Sequence, residues 1–208
     1  MTTAICVKTG SKYPSEYANK LARALIRNGY KGKLACITDN PVDLDRNIVN
    51  PVIMPNPDQS WWDKLYVFSW EHGINDSLTY YDLDMVIVGN VSCFEDWGSF
   101  ITGSRFDDPK FINSTLMHIP KNFGKELWET FKENKQKVKK SSSNWDSKYL
   151  DSMVTPKARW QDLYPNSLIS YKYHARDFGL RKNTRAVSFH GKPNPDEVKD
   201  EFVQLHWK

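Results

Sequence analysis

The sequence is poor in cysteine and has no long apolar run. Its three cysteines, Cys6, Cys36 and Cys93, are scattered and odd in number, which argues against a disulfide framework, and no spacing among them resembles a zinc site. Two sit in strand-like apolar runs, the pattern of buried, reduced thiols in a cytoplasmic protein. No stretch approaches the roughly 18 apolar residues of a membrane span. The opening residues, Met1 to Lys8, lack the basic head and apolar body of a signal peptide and read as a strand. Internal repeats and long linkers are missing too, so all 208 residues are expected to form one domain, long enough to bury a core.

Aromatics, by contrast, are plentiful. They make up 13% of the chain, and its eight Trp exceed what a core of this size needs. Some are expected to line a site, because an indole offers a flat apolar face with a polar edge. The net charge of +4 is uneven: Lys110 to Arg159 carries 11 Lys and Arg against 5 Asp and Glu. Such a segment is either a solvated surface or one that meets a phosphate-bearing partner.

The chain begins as strand (Ala4–Lys8), helix (opened by Pro14, closed by Asn28-Gly29) and strand (Lys33–Thr38), which implies a right-handed crossover and a parallel sheet. Trp61–Phe68 reads as a short aromatic helix. Leu78–Tyr81 and Met85–Val88 read as one strand interrupted by Asp82-Leu83-Asp84. Phe111–Ile119 is a further strand candidate, and Phe123–Lys135 an amphipathic helix. Lys135–Asn144 reads as a polar, mobile loop. A short helix at Lys148–Val154, strands at Leu168–Tyr173 and Ala186–Phe189, and a C-terminal helix from Pro195 complete the pattern. The expected fold class is α/β, Rossmann-like, with a central mixed, mostly parallel sheet flanked by helices. A nucleotide is expected at the carboxyl ends of its parallel strands.

The acidic pair Asp82 and Asp84 carries the most chemistry. Two carboxylates two apart at a strand end point to the same side, and burying both calls for a counter-charge. A hard divalent cation, Mn²⁺ or Mg²⁺, bridging them to a diphosphate supplies it. Downstream, His190 follows an apolar run and offers an imidazole as third ligand. Gly191 lets backbone approach a phosphate, and Lys192 can neutralise one. A turn explains Asp-x-Asp equally well in isolation; apolar flanks and the distant His favour the metal.

The order of Val7-Lys8-Thr9-Gly10 with Lys12-Tyr13, Ile37-Thr38-Asp39, Trp61 to Leu65, Tyr81 to Asp84, Asn113-Ser114, Ser170 to His174 and His190 to Pro193 resembles a family of small glycosyltransferases with the GT-A fold, related to the glycogenin and lipopolysaccharide galactosyltransferase group. The resemblance implies that Asp82, Asp84 and His190 bind the metal and that Lys192 contacts the donor diphosphate. It implies that Lys8, Thr9 and Asp39 hold base and ribose, with Lys12, Tyr13 and Leu83 in the same donor-binding segments. Trp62 and Lys64 fall in the segment packed over the donor, with Asn113, Ser114 and Arg105 beside the sugar. Asp146 matches a Gly-Asp-Gln element near the reacting sugar, although here the element reads Trp145-Asp146-Ser147. By resemblance the donor is a UDP-sugar and transfer retains anomeric configuration, with Asp146 the carboxylate to test for a catalytic role.

For the acceptor, a small molecule, a protein or a hydroxymethylated pyrimidine in phage DNA are all compatible with a minimal transferase, the last implying a phage-infected bacterial cytoplasm. The run Lys132 to Lys140 with Lys172, Arg176, Arg181, Lys182 and Arg185 would track a phosphate backbone, with Trp145 and Trp160 stacking on an extruded base. Rival readings are a nucleotide-binding or nucleic-acid-binding protein without transfer activity. A two-metal nuclease is disfavoured, because no further acidic ligands stand on neighbouring strands.

Overall fold

The structure, a computed structural model, describes residues 2–156 and 158–208. Strand β1 (Thr2–Lys8) leads into helix α1 (Ser15–Arg27) and returns as β2 (Leu34–Thr38), parallel to β1 with Cys6 opposite Cys36. Strand β3 (Val49–Ile53) adds in parallel at the outer edge. It was not apparent from the sequence, because Pro51 lies inside it; an edge strand tolerates a residue without an N–H.

Strand β4 (Ser77–Tyr81) pairs with β1 from the other side, also in parallel. Strand order thus reverses at β1, with β2 on one side and β4 on the other, the switch point where open α/β sheets leave a crevice. The interrupted strand expected over residues 78–88 is instead two strands in two sheets. After Asp82 donates its N–H to Thr115 O at 2.9 Å, the chain turns, with Met85 N–H on Asp82 O at 3.3 Å. It leaves the main sheet as β5 (Met85–Ile87). Strands β6 (Ile101–Ser104) and β7 (Ile112–Ile119) follow, with β7 antiparallel to both β4 and β6, and β8 (Ala158–Arg159) closes the far edge. The main sheet runs β3-β2-β1-β4-β7-β6-β8 and is mostly parallel, as expected. Strand β5 joins β9 (Leu168–Ser170) and β10 (Ala186–Ser188) in a small second sheet.

Alternation along β1 assigns its two faces. Ala4 and Cys6 pack with α1 on one side, while Ile5 packs with the 3₁₀ helix Trp61–Phe68 on the other. That second face is also covered by helix α2 (Lys125–Ser141), followed by helix α3 (Asp146–Met153). Helix α2 occupies most of the stretch expected to be a mobile loop. Its φ/ψ break at Asn134 redirects the second half, Val138 is buried in the core, and Lys135 and Lys139 both reach Asp58 at 2.7 Å. The expected strand at Leu168–Tyr173 stops at Ser170, where the Ser170 hydroxyl accepts the Tyr173 N–H at 3.3 Å and starts a wide helical turn, Tyr171–Ala175. From Pro195 the chain makes one 3₁₀ turn before the terminal helix Glu201–His206.

Candidate active site

The crevice at the ends of β1 and β4 holds two adjoining hollows of about 240 and 650 Å³ that share Lys12, Trp61, Lys64, Asp82 and Asp84 as walls. Concave, largely preformed space of this size at a switch point is where small ligands bind. Asp82 and Asp84 face it together. The link between β4 and β5 brings them there rather than strand periodicity alone.

The two carboxylates stand in different surroundings. Asp82 Oδ1 accepts the Tyr80 hydroxyl at 2.6 Å and lies 2.9 Å from Lys64 Nζ. The same ammonium is 3.4 Å from Asp146 Oδ2 and 3.2 Å from Ser114 Oγ, and the Ser114 hydroxyl donates to Asp146 Oδ2 at 2.8 Å. Burial pulls the Lys64 pKa down, but Asp146 and Asp82 outweigh it and hold the ammonium charged. Among the described residues the Asp84 carboxylate has only the Tyr13 hydroxyl as hydrogen-bond donor, at 2.7 Å. Burial, and then repulsion from Asp82, push its carboxyl up to about 7. Fully ionised, Asp82, Asp84 and Asp146 outnumber Lys64 by two negative charges.

That imbalance fits a divalent cation. The pair offers hard oxygen ligands and leaves other positions open to phosphate oxygens or water, as Mg²⁺ and Mn²⁺ require. It is not a closed protein cage: among the described residues no three His, Cys, Asp or Glu side chains are gathered closely enough to hold an ion. His190 lines the larger hollow with Asp84, but its Nε2 is 2.7 Å from Ser170 Oγ. Its ring stacks between Phe106 and Tyr173, each 5.7 Å away. Burial and then Lys172 lower its pKa, so the imidazole is neutral, the form that ligates metals.

Of the other residues singled out from the sequence, Thr9, Lys12, Tyr13 and Leu83 line the smaller hollow, and Arg105, Asn113, Asp146 and Gly191 the larger. The Thr9 hydroxyl donates to Asp63 at 2.6 Å. Asp39 stands behind the wall. Its Oδ2 accepts the Gly10 N–H at 3.0 Å and the Gln59 amide at 3.1 Å, and its Oδ1 is buried without a partner. Lys8 is buried at the end of β1, outside the lining of both hollows. Lys192 also lies outside it, 71% exposed and paired with Glu197.

The tryptophans divide by position. Trp62, expected over the donor, is buried in the core and stacked on Phe131 at 5.4 Å. Its neighbour Trp61, 57% exposed, lines both hollows instead. One step along a 3₁₀ helix turns the side chain by about 120°, so an adjacent pair cannot serve the same face. Trp145 is exposed at the larger hollow, whereas Trp160 is wholly buried and cannot stack on a base. Tyr80 and Gln59 also line the smaller hollow and were not singled out. Tyr80 reads in sequence as a core aromatic, and Gln59 carries no signal of its own.

Comparison with solved structures accords with this geometry. Over 94% of its length the chain is similar to the glycosyltransferase GlyE of Streptococcus pneumoniae TIGR4, with a TM-score of 0.68 and 12% identity, and it spans only 56% of that protein. It is similar also to the galactosyltransferase LgtC, solved in complex with donor and acceptor sugar analogues. There the TM-score is 0.66 at 9% identity, over 94% of this chain and 89% of LgtC. No protein-family model matches the sequence, and no curated protein does. The chain has the GT-A fold.

Proposed function

We propose that the chain is a metal-dependent glycosyltransferase that takes a sugar from a nucleotide diphosphate donor, UDP-linked by resemblance, and passes it to an acceptor hydroxyl. One observation carries this reading: a buried carboxylate, Asp84, faces a nucleotide-sized cleft without a direct ion pair among the described residues, only the more distant Lys12 and Lys64 attracting it, beside a second carboxylate, Asp82, that is paired. The fold supports it, because the paired acids stand at the switch-point crevice.

In this reading the base and ribose occupy the smaller hollow against Trp61 and Thr9. The diphosphate lies over Asp82 and Asp84, and the sugar enters the larger hollow towards Asp146. Asp82 and Asp84 would hold a divalent cation, with His190 as a further ligand if it exchanged its Ser170 contact for the ion, and the ion would supply positive charge to offset that on the departing diphosphate. Lys64 contacts both Asp82 and Asp146 and holds them in place, which orients the floor before the donor arrives. Lys12, on both hollows, adds positive charge near the phosphates. The bond from the anomeric carbon to the diphosphate oxygen breaks, a bond to the acceptor oxygen forms, and the hydroxyl proton passes to the leaving group. Asp146 is held by Lys64 and Ser114 and is better placed to bind a sugar hydroxyl than to act as base, which accords with retention.

A panel of nucleotide sugars incubated with the protein and Mn²⁺ tests the proposal. Slow release of free sugar and nucleoside diphosphate from one donor, lost on chelation, is the expected result. Absence of hydrolysis and of binding for every donor would leave only the fold.

A further inference from the structure

Beside the larger hollow lies a third, of about 330 Å³, lined by Phe111, Lys148 and Asp151 and sharing Arg105, Trp145 and Ser147 with it. Nothing in the donor site uses its outer wall. Trp145 is 58% and Phe111 44% exposed, and the Arg105 guanidinium sits 5.8 Å from the first ring and 5.7 Å from the second. The wall is therefore a flat apolar strip with a polar seam.

Its charge is balanced. Arg105 is held in a two-pronged contact by Asp107, at 3.0 and 2.6 Å, and Lys148 and Asp151 line the same hollow as opposite charges without forming an ion pair. Asp151 Oδ1 accepts the Ile112 N–H at 3.1 Å, and Oδ2 has no donor among the described residues. Lys148 Nζ meets Ser143 Oγ at 3.1 Å. A polyanion needs several uncompensated cations along its track, and among the described residues this hollow offers only Lys148. Part of the basic run on α2 is engaged elsewhere: Lys132 contacts Glu71 and Glu129, and Lys135 and Lys139 share Asp58, while Lys137 and Lys140 form no ion pair among the described residues. Exposed aromatic faces, a free carboxylate oxygen and hydroxyls, with no net charge, suit a neutral ring that is apolar on one face and rich in hydroxyls at its edge.

Resting on the transferase reading, we propose that this hollow is an acceptor subsite for a neutral oligosaccharide. The terminal sugar reaches the larger hollow, and the ring before it lies against Trp145 and Phe111. The acceptor is then a chain of at least two sugar rings rather than a nucleic acid.

The test is an array of immobilised neutral oligosaccharides, from monosaccharides upward, with mixed-sequence duplex DNA on the same surface, probed with the full chain with and without UDP and Mn²⁺. The expected result is a signal on a subset of oligosaccharides that is absent from their terminal monosaccharide. Phe111→Ala should lower it about tenfold, the loss of one aromatic contact, with the melting temperature confirming the fold. Lys148→Ala, on the exposed rim, should lower it several-fold and serves if Phe111→Ala does not fold. Binding to duplex alone, equal binding to monosaccharides, or oligosaccharide binding untouched by both variants would overturn the subsite. Donor hydrolysis and donor binding by the unaltered protein separate the two ideas: either of them without glycan binding overturns the subsite alone, whereas glycan binding with neither for any donor overturns the transferase and with it the acceptor role of the hollow.

Discussion

Lys64 Nζ lies 2.9 Å from Asp82 Oδ1, so one of the paired carboxylates has a direct ion pair while Asp84 has none among the described residues. This asymmetry sets the chemistry of the cleft, and several consequences can be measured.

Replacing Lys64 by Met removes the ammonium shared by Asp82 and Asp146 and leaves both carboxylates facing each other in a partly buried floor. Breaking such a pair costs about 3 kcal/mol, which urea denaturation of the metal-free protein would read as a lower midpoint. An unchanged midpoint would mean that Lys64 is not needed to hold the two acids.

Asp84 makes the metal-free fold pH-sensitive. The folded carboxyl keeps its proton up to about 7, whereas an unperturbed aspartate releases it at 3.8, so between those values the folded state binds the extra proton. Stability is therefore lost as pH rises through this window and is unaffected by Asp84 below it. Urea midpoints in chelator at acid and slightly alkaline pH should show the drop, and Asp84→Asn should flatten it. Equal pH slopes for the two proteins would contradict the assignment.

Asp58 ties the donor loop to α2. It holds Lys135 and Lys139 at 2.7 Å each, and its N–H donates to Asp63 Oδ1 at 2.9 Å. Asp58→Ala should cost under about 1 kcal/mol globally, because these pairs are partly solvated. Amide exchange over residues 56–61 should nevertheless speed up and the KM for donor should rise with little change in kcat. Unaltered exchange there would show that the loop holds itself.

Gly10 is the backbone hinge of the same wall. Its φ is +65°, and a Cβ on it would stand 2.9 Å from Gln59 Cβ. Gly10→Ala should destabilise the fold by about 1–3 kcal/mol and weaken nucleotide binding, since Gln59 must move. A nucleotide Kd equal to that of the unaltered protein would place the donor elsewhere.

Much of this was legible in the residues themselves. Hydrophobic periodicity located β1, α1 and β2, and the acidic pair with its apolar flanks marked the cleft. What sequence could not show depends on contacts between distant segments. Nothing local says that residues 82–84 cross from one sheet to another, because the partner of β5 is β10, about 100 residues away. Helix α2 runs on through a polar stretch because Asp58 and the core take its Lys135, Lys139 and Val138. Trp61 and Trp62 are adjacent, and only packing against Phe131 decides which one leaves the cleft. Lys64 reads as part of the segment packed over the donor, yet Asp82, Asp146 and Ser114 together occupy its ammonium.

The most direct measurement is the Kd of UDP by titration calorimetry with and without Mn²⁺, for the unaltered protein and for Asp84→Asn. Tighter binding with Mn²⁺ in the first and no metal effect in the second is the expected result. A UDP affinity that ignores Mn²⁺ in the unaltered protein, or a metal effect that survives Asp84→Asn, would contradict a cation at the paired carboxylates.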